Sequence, residues 1–158
     1  MTIKDIKSAV LKKGWAGKTL SRSETAHRLN ALIEEHVKLK HYYANLQLHL
    51  QSVELQEELL TILKTLRLDI GKLKEVVFSC GQTAFNGTSL KPESFHLDSG
   101  TPIIELREFE REFDALLHGE QPIQHQIRSE AVLTRLREHC AERLSFLQKC
   151  IRVETVYS

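Results

Sequence analysis

Apolar side chains recur every three or four positions over most of the chain, a spacing that gathers them on one face of an α-helix. No glycine or proline interrupts residues 18–70, and a single helix of that length is unusual in a compact domain. The pattern therefore predicts two helices, the first starting at Ser21 or Ser23, joined by a tight turn within residues 47–54. The stripe of the first helix runs through Leu29, Leu32, His36, Leu39, Tyr43, Leu46 and Leu50. The stripe of the second runs through Leu59, Ile62, Leu66, Asp69, Leu73, Val76 and Cys80.

Glycine and proline mark the remaining helix boundaries. Gly81 follows the second stripe and is a natural left-handed cap, and residues 82–101 then show no sustained periodicity. Pro102 is predicted to open a third helix that ends at Gly119, and Pro122 to open a fourth. The third stripe runs through Ile103, Leu106, Phe109, Phe113, Leu116 and Leu117. The fourth runs through Ile123, Ile127, Leu133, Leu136, Cys140, Leu144, Leu147 and Ile151.

The lengths of the connections predict the topology. A tight turn after the first helix and another after the third give two antiparallel hairpins. The long connection between the second and third helices lets the chain cross the length of a bundle, whereas simple up-and-down bundles need only short loops. No strand pattern with turn residues is present. The sequence therefore predicts an all-α four-helix bundle over residues 20–158.

Residues 1–19 form a separate segment, in which apolar positions at helical spacing are surrounded by lysines. The apolar positions are Ile3, Ile6 and Val10, and the lysines are Lys4, Lys7, Lys12, Lys13 and Lys18. Gly14 and Gly17 then interrupt the pattern. We predict a short basic amphipathic helix followed by a flexible joint. The helix packs on its own bundle or on a sister subunit, or it binds an anionic membrane surface or nucleic acid.

Composition narrows the possible functions only slightly. The chain has 22 Lys and Arg against 21 Asp and Glu, so its net charge favours no class of partner. The three cysteines lack CxxC spacing and are odd in number, which predicts buried thiols. No secretory signal is visible and no apolar stretch reaches the roughly 18 residues of a transmembrane helix, so we expect a cytoplasmic protein. Glutamates alternate with the arginines of the fourth helix, and sequence-specific nucleic-acid binding is therefore not expected.

Polar residues interrupt two of the apolar stripes, His36 in the first helix and Asp69 in the second. With a turn near residue 51, both lie within about one helical turn of the same level and can meet inside the bundle. Such a pair would satisfy both groups and favour imidazolium. It is either a structural pair that fixes register or half of a metal or proton-transfer site. On the fourth helix, His139 and Glu142 share one face and can reach the same ion.

The stretch from Leu29 to Tyr43 resembles the first helix of ferritin-like proteins. In that superfamily a ligand glutamate is followed seven residues later by a tyrosine, and Glu35 and Tyr42 have this spacing. The long connection between the second and third helices is also similar. The resemblance implies a ferritin-like bundle in which Glu35 occupies a ligand position.

The Glu-x-x-His motifs of di-iron members of that superfamily are not intact in this chain. The matching part of the second helix has Asp69 followed three residues later by Lys72, and Leu136 stands three residues before His139. We therefore expect a non-catalytic structural or protein-interaction protein without a standard di-iron centre. Its aromatic residues exceed what one thin bundle buries, so we expect an oligomer, most simply a homodimer.

Metal binding is the alternative function. In that case the protein is a ferritin-like oxidase or iron-binding protein that holds iron, manganese or zinc in a modified site. Carboxylate and imidazole groups suit all three metals. The candidate ligands are Glu35, His36, Asp69, His139 and Glu142.

Overall fold

The computed structural model describes residues 20–157 of the chain, with side chains up to Glu154, and this part contains four helices and no strand. The helices are α1 (Arg22–Leu46), α2 (Val53–Ser79), α3 (Pro102–Gly119) and α4 (Ile127–Tyr157), with a turn of 3-10 helix at Pro92–Ser94. The all-α prediction and the predicted turn between the first two helices are confirmed. None of the described helices combines the length and apolarity needed to cross a membrane. The amphipathic helix predicted within residues 1–19 lies outside the described residues.

Two serine side chains cap the starts of α1 and α2, and a glycine follows the end of α2. The hydroxyl of Ser21 accepts a hydrogen bond from the backbone N–H of Glu24, and that of Ser52 accepts one from Leu55. Each satisfies an amide that has no partner within its helix. Gly81 follows α2 with a φ of 74°, a conformation that glycine adopts without the steric cost of a Cβ. Local sequence therefore sets where α1 starts and where α2 starts and ends.

The four helices pack as a square in which α1 and α4 lie on one diagonal. Helix α1 contacts α2 and α3, and α4 contacts the same two helices. Glu58 near the start of α2 pairs with Lys149 near the end of α4, and Arg28 near the start of α1 pairs with Glu120 after α3. Neighbouring helices are therefore antiparallel. The leucine-rich stripes meet along the centre and form one continuous core.

The connection between α2 and α3 runs along α1 and is fixed to it at both ends. The side-chain amide of Asn30 donates to the carbonyl of Thr83 and accepts from the N–H of Phe85. The side-chain oxygen of Asn45 accepts from the N–H of Leu97. The two asparagines are fifteen positions apart on the helix, a distance of about 22 Å. The chain thus crosses most of the bundle before α3 begins.

The predicted stripes of α1 and α2 are confirmed, because every member is buried except Ile62, which is half-buried. In α3 the prediction of two adjacent buried leucines is wrong. Leu117 is fully buried, whereas Leu116 is 47% exposed. Adjacent side chains on a helix point about 100° apart, so the two cannot both face the core. Leu116 faces the surface between α1 and α3 instead.

The predicted start of the fourth helix at Pro122 is wrong, because α4 begins at Ile127. The backbone between α3 and α4 forms a turn in which N–H groups donate to carbonyls two or three residues earlier. The carbonyl of Gln124 also accepts from the N–H of Leu20, which ties this turn to the start of the described chain. Ile127, predicted on the stripe, is 91% exposed because it is the first helical residue and lies beyond the core.

Candidate functional site

Asp69 of α2 lies between two histidines in the bundle core. Nδ1 of His139, on α4, lies 2.8 Å from Oδ2 and 3.0 Å from Oδ1 of Asp69. Because an ionised carboxylate only accepts hydrogen bonds, His139 is the donor. Nε2 of His36, on α1, lies 3.7 Å from Oδ2 of Asp69, which is longer than a hydrogen bond. The prediction that His36 and Asp69 meet inside the bundle is confirmed, and His139 joins them.

His36 is fully buried, and neither of its ring nitrogens has a hydrogen-bond partner among the described residues. Burial lowers the pKa of His36 to about 4, although the nearby Asp69 acts in the opposite direction. The expectation that the pair favours imidazolium is therefore wrong for His36, because desolvation outweighs attraction to a carboxylate this far away. Burial also opposes ionisation of Asp69, but the imidazoles of His36 and His139 hold the pKa of that carboxyl below its usual value.

Glu35 and Glu142 do not join this core group. The carboxylate of Glu35 is 42% exposed on the surface of α1 and accepts a hydrogen bond from the ammonium group of Lys38 at 3.1 Å. Glu142 is exposed on α4 and lines, with His139, a small cavity of about 70 Å³. The five residues predicted as metal ligands therefore divide into three clustered core side chains and two separate surface glutamates.

A buried ion pair that the sequence interpretation missed links three helices. Glu110 of α3 is fully buried, and Arg143 of α4 is 2% exposed. The guanidinium Nε of Arg143 donates to Oε1 of Glu110, and a second guanidinium nitrogen lies 3.5 Å from Oε2. The hydroxyl of Tyr43, on α1, donates to the same Oε1 at 3.2 Å. This group therefore joins α1, α3 and α4 at the centre of the bundle.

Glu110 and Arg143 lie at the same helical spacing as the buried apolar residues of α3 and α4. The buried positions of α3 alternate by four and three and are Leu106, Glu110, Phe113 and Leu117. Most of those of α4 continue the same alternation, namely Ser129, Leu133, Leu136, Cys140, Arg143, Leu147 and Cys150, with Phe146 buried in addition. Phe109 and Leu144 were predicted to face the core in place of Glu110 and Arg143, because charged side chains are almost never fully buried unless they are paired. Neither helix alone reveals that pairing.

The protonation states of this group follow from burial and mutual attraction. Burial raises the pKa of Glu110, and Arg143 acts against that rise. Burial lowers the pKa of Arg143, but the Glu110 carboxylate outweighs this effect and raises it overall. Burial and the neighbouring carboxylate together raise the pKa of Tyr43 well above its usual value. Tyr43 therefore stays protonated at neutral pH, and Arg143 stays charged.

A third polar group closes the end of the bundle where the described chain begins. Nε2 of His125 lies 2.9 Å from Oε2 of Glu120, and the guanidinium of Arg28 lies 3.2 Å from the same carboxylate. Burial opposes ionisation of Glu120, but hydrogen bonding to His125 and the charge of Arg28 hold its pKa below the usual value. The group connects α1 to the turn between α3 and α4.

A groove runs along the surface between α1 and α3, and we call it the α1–α3 groove. It has two adjoining parts of about 810 Å³ and about 400 Å³, which share Glu35 and Leu116. Its larger apolar side chains are Leu32, Leu39, Tyr42, Phe109, Phe113 and Leu116. Its carboxylates are Glu24, Glu34, Glu35, Glu112 and Glu120. The groove therefore combines an apolar floor with a predominantly acidic rim.

Basic residues neutralise only part of this rim. Arg28 pairs with Glu120, and Lys38 pairs with Glu35, its Nζ lying 3.1 Å from the carboxylate. Glu24 and Glu112 have no basic partner among the described residues. The rim therefore keeps a negative charge that is available to a ligand.

The prediction that the cysteines are buried thiols is confirmed. Cys80, Cys140 and Cys150 are all free and buried. Burial raises the pKa of the Cys140 thiol and raises that of Cys150 to about 12. A thiol is a nucleophile and a metal ligand only as the thiolate. Cys140 and Cys150 are therefore unreactive at neutral pH.

Comparisons of the chain with protein-family models, with curated proteins and with solved structures found no match. Within residues 20–157, no group of three or more His, Cys, Asp or Glu side chains has the arrangement of a metal site. The polar groups of the core and the α1–α3 groove are thus the features from which a function can be inferred.

Proposed function

We propose that the protein is a non-catalytic, ferritin-like helical bundle that acts by binding a protein partner. The observation that carries the proposal is the α1–α3 groove, in which Leu116 is 47% exposed on an apolar floor between carboxylates. Amphipathic helices bind to other proteins by laying their apolar face into grooves of this kind. The partner is therefore expected to present a helix.

The topology supports the ferritin-like part of the proposal. One long connection lies between the second and third helices, and its attachment to Asn30 and Asn45 carries the chain along the bundle. Four-helix bundles with one such crossover are the ferritin-like arrangement. The core contains the Glu110–Arg143 ion pair, and the residues present do not fit a di-iron centre, which requires four glutamates and two histidines. The helical bundle would therefore act as a protein-binding scaffold without a di-iron centre.

The charge of the groove specifies the partner further. Five carboxylates and two strong bases, Arg28 and Lys38, line it. Opposite charges across an interface raise association rates and exclude partners of the wrong sign. We therefore infer that the partner helix is basic and that binding weakens as salt is added, because salt screens exposed charges over about 10 Å.

Leu116→Asp is expected to weaken partner binding at least tenfold, because it places a carboxylate on the apolar floor and adds to the acidic rim. The matched control is Leu60→Asp on the outer face of α2, since Leu60 is 53% exposed and lies outside the groove. Proteins captured by the full chain would be purified, and their dissociation constants would be measured for all three forms. Equal affinity of wild type and Leu116→Asp for every captured protein would refute the proposal.

The second candidate function is metal binding, and the isolated position of His36 favours it. A buried imidazole without a hydrogen bond costs roughly 1–3 kcal/mol, and a metal ion would offset that cost. With its pKa near 4, His36 is neutral at pH 7, which is the form that binds metals. The ligands would be His36, Asp69 and His139, after side-chain rotation that brings their donor atoms together.

This candidate predicts uptake of about one zinc or ferrous ion per chain, read by elemental analysis after removal of free metal. His36→Gln or Asp69→Asn would abolish uptake. Glu35→Gln and Glu142→Gln would leave it unchanged, because both glutamates lie outside the core group. Absence of stoichiometric metal in the wild-type protein would exclude this function.

The proposal also includes a homodimer and a cytoplasmic location. Exposed apolar residues on α2, among them Leu68 at 59% and Phe78 at 60%, offer area for self-association. The three free, buried cysteines suit a reducing compartment, where disulfides are rare. Light scattering on the full chain would measure the oligomeric state.

A further inference from the structure

We propose that the α1–α3 groove binds the amino-terminal segment of its own chain, residues 1–13, as an amphipathic helix. This inference rests on the proposed binding role of the groove and names its resident occupant. Three observations support it. The charges of the segment and the groove are opposite, Leu20 holds the segment close to the groove, and the length and apolar spacing of the segment fit the groove.

Charge complementarity is the first support. Residues 1–19 contain five lysines and one acidic residue, Asp5. The rim of the groove is predominantly acidic, and Glu24 and Glu112 have no basic partner among the described residues. A basic segment therefore supplies the charge that this rim lacks, and its proximity to the groove makes the attraction intramolecular.

The position of Leu20 gives the segment access to the groove. Leu20 is 4% exposed, its N–H donates to Gln124, and its carbonyl accepts from the side chain of Gln126. These contacts fix the point where the segment joins the bundle, three residues before the groove begins at Ser23. Residues 14–19, which include two glycines, can span up to about 20 Å and reverse the chain direction.

Length and spacing also match. Along α1 the groove extends from Ser23 to Tyr42, about 28 Å, and a helix of 13 residues, which is about 20 Å long, fits within it. Ile3 and Val10 are seven residues apart in the segment, as Phe109 and Leu116 are on α3. Both pairs therefore span about 10 Å on a helix. The apolar stripe of the segment can therefore cover the part of the floor between Phe109 and Leu116.

Occupation by its own segment would make the groove a masked binding surface. A partner helix must displace residues 1–13, so its apparent affinity falls by the fraction of chains in which the groove is open. A change that weakens the segment without touching the groove is therefore expected to strengthen partner binding. Ile6→Asp is such a change, because Ile6 lies in the middle of the predicted apolar stripe.

Photo-crosslinking in the full chain tests the inference. With p-benzoylphenylalanine in place of Leu116, irradiation is expected to join position 116 to residues 1–13 of the same chain, as mapped by mass spectrometry. The same replacement of Leu60, an exposed leucine outside the groove, is the control and should give no such product. Ile6→Asp should lower the yield from position 116 at least fivefold, and so should added salt.

Mixed isotope-labelled and unlabelled protein distinguishes the two possible origins of the segment. Crosslinks within one chain support the inference, and crosslinks between chains overturn it in favour of a domain-swapped dimer.

A fluorescent peptide of residues 1–13 is expected to bind the Ile6→Asp protein at least tenfold more tightly than the wild type, and equal binding overturns the inference as well. If these tests fail while a purified partner still binds wild type and not Leu116→Asp, the proposed function stands with another occupant.

Discussion

Glu110→Ala is expected to lower the free energy of unfolding by about 3–5 kcal/mol, the usual cost of leaving one member of a buried ion pair without its partner. The guanidinium of Arg143 would remain in the core at 2% exposure with no carboxylate to neutralise it. Tyr43 would also lose its acceptor. Urea denaturation at pH 7, followed by circular dichroism, measures the change.

Two further variants separate the charge effect from the loss of side-chain volume. Replacing both partners, with Glu110→Leu and Arg143→Met, is expected to recover most of the lost stability, because apolar residues of similar volume often replace a buried ion pair without cost. Glu108→Ala breaks a pair with Arg111 in which both side chains are 55% exposed, and it should cost less than about 1 kcal/mol. A Glu110→Ala protein as stable as Glu108→Ala would show that the buried pair has no electrostatic role.

Acidification from pH 7 to pH 4 is expected to destabilise the protein by roughly 3 kcal/mol through His36 alone, since each unit of pKa difference corresponds to about 1.4 kcal/mol. The unfolded chain takes up a proton at this histidine near pH 6.5, but the folded protein does so only near pH 4. The unfolded state therefore binds more protons within this window, and stability falls as the pH is lowered through it. Asp69, whose pKa is held low, adds its own loss at more acidic pH.

His36→Leu isolates this contribution. The variant should lose the roughly 3 kcal/mol that His36 contributes between pH 7 and pH 4, and it should keep only the part of the loss at lower pH that Asp69 owes to its hydrogen bond with His139. Glu110 changes stability in the opposite direction, because its pKa is raised by burial, but it does so equally in both proteins. His118→Leu, at a side chain that is 59% exposed, is the matched control. Identical pH profiles for wild type and His36→Leu would contradict the assigned desolvation of His36.

The parts of the fold that depend on local sequence were predictable. Ser21 caps α1, Gly81 ends α2, and both long stripes are buried as their spacing predicts. The start of α4 was not predictable in this way. Proline favours the first turn of a helix, but the backbone after Pro122 hydrogen-bonds within a turn and to Leu20, a residue about one hundred positions earlier. Long-range contacts of that kind leave no local pattern.

The candidate site was likewise predictable only in part. His36 and Asp69 were predicted to meet because each interrupts an apolar stripe and helical rise places them at one level. Glu110 and Arg143 also follow the helical spacing of buried residues, but a charged side chain on a single helix is expected to face solvent. Only the packing of α3 against α4 shows that the two charges pair in the core. The α1–α3 groove depends on the separation of two helices and on the outward rotation of Leu116, and a linear pattern encodes neither.

The two asparagines that hold the crossover to α1 leave it with excess length. The fifteen residues from Thr83 to Leu97 cover the roughly 22 Å between Asn30 and Asn45, whereas an extended chain of fourteen such steps reaches about 46 Å. The surplus is taken up in a turn at Gly87 and the short 3-10 helix. Within the described residues, the stretch around Gly87 is therefore a place where residues can be gained or lost without moving either hairpin, and a new loop could be grafted there.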